Sequence, residues 1–266
     1  MPDGHSRLPH PAIFDFLKPQ TIISPESYIK IVQNTKGKNM ATILGIDEAG
    51  RGAVLGPLVL AGVMIDEEDE QKLRDIGVKD SKLLTPKQRE SMFERIKAVA
   101  KDYAILKISA KEIDEGRVIK NLNRLEAEKM AEIIRILKPD RAYVDAPQVS
   151  TEKFKGYLLA LAKNHTEIIS ENYADKTYPV CSAASILAKV ERDRDIEEIK
   201  KQAGYDFGVG YSHDARTINF LHHLLDKHGG EFPDFVRKSW ITSIDIKEKR
   251  AQKKLGEFKV KEVEDD

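Results

Sequence analysis

The chain has 266 residues, enough for one sizeable domain with an appendage, and carries 44 Lys plus Arg against 44 Asp plus Glu, so overall charge gives no evidence for nucleic acid. Cys181 is the one cysteine, which excludes an intrachain disulfide and suits a reducing, cytoplasmic setting. No apolar run reaches transmembrane length and no signal-like core opens the chain, so no membrane role is expected; a charged fraction of 33% fits an ion-pair-rich, thermophile-like surface.

Residues 1–39 hold Pro2, Pro9, Pro11, Pro19 and Pro25 with little periodicity. They read as a flexible extension or a start-site artefact, with Met40 the natural beginning. Residues 40–242 then read as the main folded domain and 243–266 as a charged helical tail. The apolar run Ala41 to Ile46 predicts a short buried strand that ends on Asp47 and Glu48. Adjacent carboxylates in the turn expected there are costly unless a cation or solvent lies between them. Gly50-Arg51-Gly52 follows, where the backbone can bend tightly and approach another molecule. A divalent metal beside exposed backbone N–H groups would suit a phosphodiester, although two acids alone more often mark a solvated turn. A dinucleotide-binding turn is excluded because Ala53 to Ile65 reads as a second strand, not a helix. A P-loop is excluded because Gly-Lys-Ser/Thr is absent.

Asp80-Ser81-Lys82 precedes a helix start with Thr85 as N-cap, Pro86 in the first turn and Gln88 closing a capping box, and that helix is expected to reach Lys101. A strand over Tyr103–Ile108 follows, then a short helix capped by Ser109 with Glu112 in the box position. Leu122–Leu137 predicts a longer amphipathic helix. Pro139 stops it, and Arg141 to Val144 reads as a strand ending on Asp145, a second strand-end acid. A helix from Ser150 to Lys163 and a strand over Thr166–Ser170 complete an α/β pattern: three strands able to meander, then two reached through helices, making a mixed sheet.

A long helix is predicted from Pro179 to Gln202, with small residues in its first turns. Asp193 shares a face with Ser182, Ser185, Ile186 and Lys189, which leaves two readings: an inward carboxylate or a surface pair with Lys189. Gly204 to Gly210 leads to Tyr211, by itself an ordinary loop aromatic, and Asp214 caps a helix ending at Gly229-Gly230. His222, His223 and His228 lack the i, i+4 spacing of a helical zinc clip and read as solvent-facing. A helix is expected over Asp234–Trp240 and a charged one from Ser243.

Asp47-Glu48-Ala49-Gly50-Arg51-Gly52, Asp80-Ser81-Lys82, Tyr143-Val144-Asp145-Ala146-Pro147 and Ala183 to Asp193, in that order, resemble ribonuclease HII of archaeal type from about Ala41 to Trp240. The resemblance implies a ribonuclease H-like fold, a five-stranded mixed sheet flanked by helices with a C-terminal helical extension. It implies that Asp47, Glu48, Asp145 and Asp193 are the metal-binding catalytic acids. Their hard oxygens favour two Mg²⁺ or Mn²⁺ ions, one activating water and one stabilising the leaving 3′-oxygen. It further implies that the backbone of Gly50, Arg51 and Gly52 and the hydroxyl of Tyr211 meet a ribose 2′-hydroxyl, and that Lys82 contacts a phosphate; Lys176, Arg237 and Lys238 are weaker phosphate candidates.

The expected activity is cutting 5′ to a ribonucleotide in duplex DNA or in RNA/DNA hybrids, by a monomer. Ribonuclease HIII is the related alternative, but its folded N-terminal domain is not expected from residues 1–39. A non-catalytic relative would be expected to have lost an acid, and a resolvase or integrase gives no reason for Gly50-Arg51-Gly52 and Tyr211. Near the C-terminus, Gln252, Leu255 and Phe258 resemble a sliding-clamp-binding box, with Lys259 where a second aromatic belongs.

Overall fold

The computed structural model of the protein describes residues 28–29, 40–78, 84–147 and 150–264, with side chains placed over 40–78, 84–147 and 150–252. Its sheet contains β1 (Tyr28–Ile29), β2 (Thr42–Ala49), β3 (Leu58–Asp66), β4 (Asp102–Ile108), β5 (Arg141–Asp145) and β6 (Glu167–Glu171), in the order β1-β4-β3-β2-β5-β6. β2, β3 and β4 form an antiparallel meander, and β5 and β6 add parallel to β2 on the other side. The five expected strands are therefore present in the expected directions. A two-residue strand from the N-terminal segment adds antiparallel to the edge of β4, opposite Leu106 and Ile105.

β2 does not stop at the acids. Asp47 pairs with Ala61, Glu48 with Leu60 and Ala49 with Val59, so both carboxylates stand inside the sheet rather than in a turn after it. The ladder continues because β3 offers backbone partners there, whatever the side chains are. Alternation then puts Ile43, Gly45, Asp47 and Ala49 on one face and Leu44, Ile46 and Glu48 on the other.

The helices are α1 (Glu70–Asp75), α2 (Pro86–Val99), α3 (Ala110–Ile119), α4 (Leu122–Leu137), α5 (Thr151–Ala162), α6 (Ala174–Thr177), α7 (Pro179–Ala203), α8 (Ala215–Lys227) and α9 (Ile241–Glu264). Thr85 with Gln88, and Ser109 with Glu112, make reciprocal capping boxes at α2 and α3. Asn121, Ser150 and Asp214 cap α4, α5 and α8 through single side-chain bonds. One sheet face packs Ile43, Val63 and Ile65 against α7 and against Phe93 and Ile96 of α2; the other packs Leu44, Ile46 and Leu60 against Met130 and Ile134 of α4 and Phe154 of α5. A third cluster joins Val54 and Leu55 to α8, Phe232 and Val236.

α7 lies directly on β2. A Cβ at Gly45 would stand 2.1 Å from the Val180 carbonyl carbon, so only glycine lets strand and helix meet. The small residues of the first turns of α7 serve the same approach, and Ser182, Ala183, Ala184 and Ser185 are all buried.

Residues 234–240 are not a helix. They form turns around an isolated bridge between Leu55 and Val236, and the Arg237 N–H donates to the Val54 carbonyl. Tertiary pairing takes the backbone groups that a helix would use. Among the described residues no helix is long and apolar enough to cross a membrane.

A two-residue edge pairing contributes little, since each net hydrogen bond is worth about 1 kcal/mol and ordering the segment offsets part of that. A protein beginning at Met40 should therefore unfold within about 2 °C of the full chain in a thermal melt. A larger fall would show that residues 1–39 support the core.

Candidate active site

The parallel register of β2 and β5, which sets Ile46 beside Val144, brings Asp47 next to Asp145 at the carboxyl end of the sheet. A third carboxylate arrives from beyond β6. The chain turns through Tyr173 in a left-handed conformation (φ 62°) into α6, and Asp175 of α6 enters the group. Asp47, Asp145 and Asp175 each offer an oxygen within 4.8 Å of the others. Asp47 and Asp175 are each only 4% exposed. The Ala174 N–H donates to Asp145 Oδ1 at 3.1 Å, which ties the α6 turn to the strand end.

The sequence reading placed Asp193 in this group, and the structure puts Asp175 there. Asp193 borders the same cleft from α7 but accepts from Arg89 at 2.8 Å, and its side chain is 42% exposed. Helical spacing aligned Asp193 with Ser185 and Lys189 correctly, but that row leaves the sheet as α7 continues. Its partner is not Lys189 either, whose ammonium donates to Ser185 Oγ at 2.6 Å. A signal for Asp175 was present. It is an acid a few residues past the end of β6, as Asp145 is the last residue of β5, and it stands next to the phosphate candidate Lys176.

The electrostatics follow from crowding. Burial and the Asp47 charge raise the Asp145 carboxyl to about 7. Burial raises Asp47 too, against the opposing pull of Lys189 and Ser185. Glu48, on the other strand face but in the same cleft, is pushed well up by burial and then by Asp47, Glu126 and Asp145. Several positive groups line the cleft, yet Arg51 is held by Glu126 and Arg89 by Asp193. Buried and half-buried oxygen donors left with net repulsion are what a hard divalent cation relieves, so Asp47, Asp145 and Asp175 fit Mg²⁺ or Mn²⁺, with Glu48 in the same cleft on the other strand face.

The cleft, of about 740 Å³, is also lined by Gly50, Arg51, Gly52, Arg192 and Tyr211. A Cβ on Gly52 would be 4.0 Å from the Tyr211 ring, so the glycine-arginine-glycine loop and the tyrosine are neighbours. The Arg192 guanidinium lies 4.7 Å from the centre of that ring, and His213 stacks beside it. The Arg51 side chain points back into the protein, with Nε 2.8 Å from the fully buried Glu126 and a hydrogen bond to Asn123. Burial raises Glu126 to about 7 against the pull of Arg51.

Three phosphate candidates take other places. Arg237 is fully buried behind the loop and cannot reach a phosphate. Lys238 pairs with Asp234, and Lys176 lies over the Tyr173 ring. Lys82 lies outside the described residues. Gln252 is exposed on α9; Leu255 and Phe258 lie on the same helix, with side chains outside the described set.

A family model described as Ribonuclease HII matches residues 44–243. Ribonuclease HII of Pyrococcus horikoshii is 44% identical over 215 residues, covering 80% of this chain and 96% of that protein. Ribonuclease HII of Pyrococcus furiosus is 46% identical over 220 residues, with 80% and 96% covered. The crystal structure of ribonuclease H2 from P. horikoshii superposes with a TM-score of 0.74 at 44% identity, covering 78% of this chain and 98% of that one. RNase HII in its complex with PCNA from Archaeoglobus fulgidus gives 0.69 at 43%, covering 75% and 95%.

The raised Asp145 carboxyl has a consequence for stability. Its folded value of about 7 lies above the ordinary 3.8, so the folded state holds the proton longer than the unfolded state does. The resulting penalty is absent below the ordinary value, grows as pH rises and is complete above the folded value. In metal-free protein, and allowing for partial exposure of the carboxyl, Asp145→Asn should therefore raise the melting temperature by about 4–8 °C near pH 8 and change it little near pH 4. A gain equal at both pH values would place its origin elsewhere than this carboxylate.

Proposed function

This chain belongs to the ribonuclease HII family and is a type 2 ribonuclease H, and on that premise we propose that it cuts the phosphodiester 5′ to ribonucleotides embedded in duplex DNA, as well as the RNA strand of hybrids. The observation that carries this reading is one cleft holding both the buried carboxylates and the Gly50-Arg51-Gly52 loop beside Tyr211. Hydrolysis needs the first group, and recognition of a ribose needs the second.

Two divalent ions, Mg²⁺ or Mn²⁺, held by Asp47, Glu48, Asp145 and Asp175 would supply an activated water and offset charge on the leaving 3′-oxygen. The protein's share is geometric. β2 and β5 fix the spacing of Asp47 and Asp145, and the Ala174 N–H holds one oxygen of Asp145 in place. The loop backbone and the Tyr211 hydroxyl address the 2′-hydroxyl, which is both donor and acceptor and so separates RNA from DNA. The tyrosine ring, backed by Arg192, offers a stacking surface for the adjoining nucleotide. Products would carry a 3′-hydroxyl and a 5′-phosphate, suiting ribonucleotide removal from DNA and primer removal in the cytoplasm. Residues 40–242 serve as the catalytic unit.

A labelled duplex with one ribonucleotide, incubated with and without Mg²⁺ or Mn²⁺, tests the reading. Asp145→Asn and Asp175→Asn should each lose nearly all cleavage while still binding the duplex. Tyr211→Phe should lose activity moderately, and Tyr211→Ala roughly ten- to a hundred-fold, in line with a stacking contribution of about 1–3 kcal/mol. Wild-type turnover in either carboxylate variant would remove that residue from the site.

The tail 243–266 is proposed as a tether to a sliding clamp through Gln252, Leu255 and Phe258. Support comes from the helical course of α9 through these positions and from the relative whose structure is a complex with PCNA. With one aromatic missing, affinity should be on the order of micromolar. Titration of a Leu255→Ala/Phe258→Ala double variant against the clamp should show that binding lost; equal binding by both proteins would leave the tail without this role.

A further inference from the structure

Arg237 comes from the turn before α9, far from the cleft in sequence, and has no exposed surface. Its guanidinium donates three hydrogen bonds: Nη2 to the Gly50 carbonyl at 2.7 Å, Nη1 to the Arg51 carbonyl at 2.8 Å and Nε to the Gly56 carbonyl at 3.2 Å. All three acceptors are backbone groups of the segment that carries the glycine-arginine-glycine loop. None is a carboxylate. A buried guanidinium without a hydrogen-bonded carboxylate is costly, and burial together with the neighbouring Arg192 lowers its pKa to about 9. A methionine or leucine would fill the space more cheaply, so packing alone does not account for an arginine here.

The loop explains it. In a trans peptide the carbonyl and the N–H point in opposite directions, and no cis peptide occurs among the described residues. When the Gly50 and Arg51 carbonyls turn inward to Arg237, the N–H groups of Arg51 and Gly52 turn away from it. Among the described residues neither N–H has a protein acceptor. Both residues line the cleft, so these two donors face whatever the cleft binds. The arrangement is also locked from below. Gly50 has φ 87°, and a Cβ there would meet Arg192 Nε at 2.4 Å. Arg237 is itself anchored, its N–H donating to Val54 and its carbonyl accepting from Ser243 Oγ at 2.8 Å.

We propose that Arg237 is a positioning residue for ribose recognition: by holding the Gly50 and Arg51 carbonyls inward, it aims the Arg51 and Gly52 N–H groups at the sugar. This rests on the function proposed above, in which that loop meets the 2′-hydroxyl. Arg237 touches no substrate. It acts through the peptide planes of the loop.

The test measures discrimination rather than activity. In an Asp145→Asn background, affinity is compared for a duplex with one ribonucleotide and for the same duplex in all-DNA form, with Mg²⁺ present. Phosphate contacts are common to both duplexes, so only sugar recognition separates them. Adding Arg237→Gln should bring the two affinities within about twofold of each other, while binding of the all-DNA duplex stays within about threefold of its parent. Arg237→Lys, which keeps the charge and some donors, should be intermediate, and its thermal melt confirms folding should the glutamine variant fail to fold. Preference retained in the lysine variant as strongly as in the parent, or equal weakening of both duplexes, overturns the proposal. A parent that shows no preference for the ribonucleotide overturns the functional reading itself, and the proposal falls with it.

Discussion

Like-charge repulsion among buried carboxylates is the constraint on which the rest of this structure depends. Asp47, Asp145 and Asp175 would separate if they stood on mobile loops. They are instead held on regular structure, a central strand, its parallel neighbour and a one-turn helix bonded back to that neighbour. The penalty registers as raised carboxyl pKa values. The two packed faces of the sheet supply the opposing stability. In this sense the core exists to hold an unfavourable arrangement that a divalent cation turns favourable.

Cations in the cleft wall are managed in the same way. Arg51 could have neutralised the acids, but Glu126 and Asn123 draw its side chain back. Arg89 is engaged by Asp193. Arg192 lies under the Tyr211 ring and bonds the Val209 carbonyl. Each arginine is assigned to shaping the wall, so the carboxylates remain open to a cation from outside.

Local signals were legible in the sequence where they are governed by local physics. The capping boxes at Thr85 and Ser109, the limits of α4 and β5, and the glycine-arginine-glycine bend all follow from side chains within a few positions of one another. The misses share another cause. β2 continues through Asp47 and Glu48 because of what β3 offers at Ala61 and Leu60, more than ten residues away. Residues 234–240 abandon a helix because Val54 and Leu55 claim their backbone. Asp193 borders the cleft from the expected helical face but is engaged by Arg89, and Asp175, an acid a few residues past β6, comes near Asp145 because β6 lies beside β5. The role of Arg237 was invisible for the same reason, since a basic residue near a binding cleft reads as a phosphate contact until its burial is seen.

The glycine contact between β2 and α7 bears on how such a molecule comes to exist. Gly45 and Val180 meet backbone to backbone, yet most of the sheet is encoded between them. During synthesis, the face of β2 that bears Asp47 therefore emerges long before its cover. Closing so long a stretch of chain costs entropy that the contact must offset. A chain that has not yet released α6 and α7 therefore lacks both Asp175 and the helix that covers Asp47, so the three acids can meet only after most of the sheet has been made.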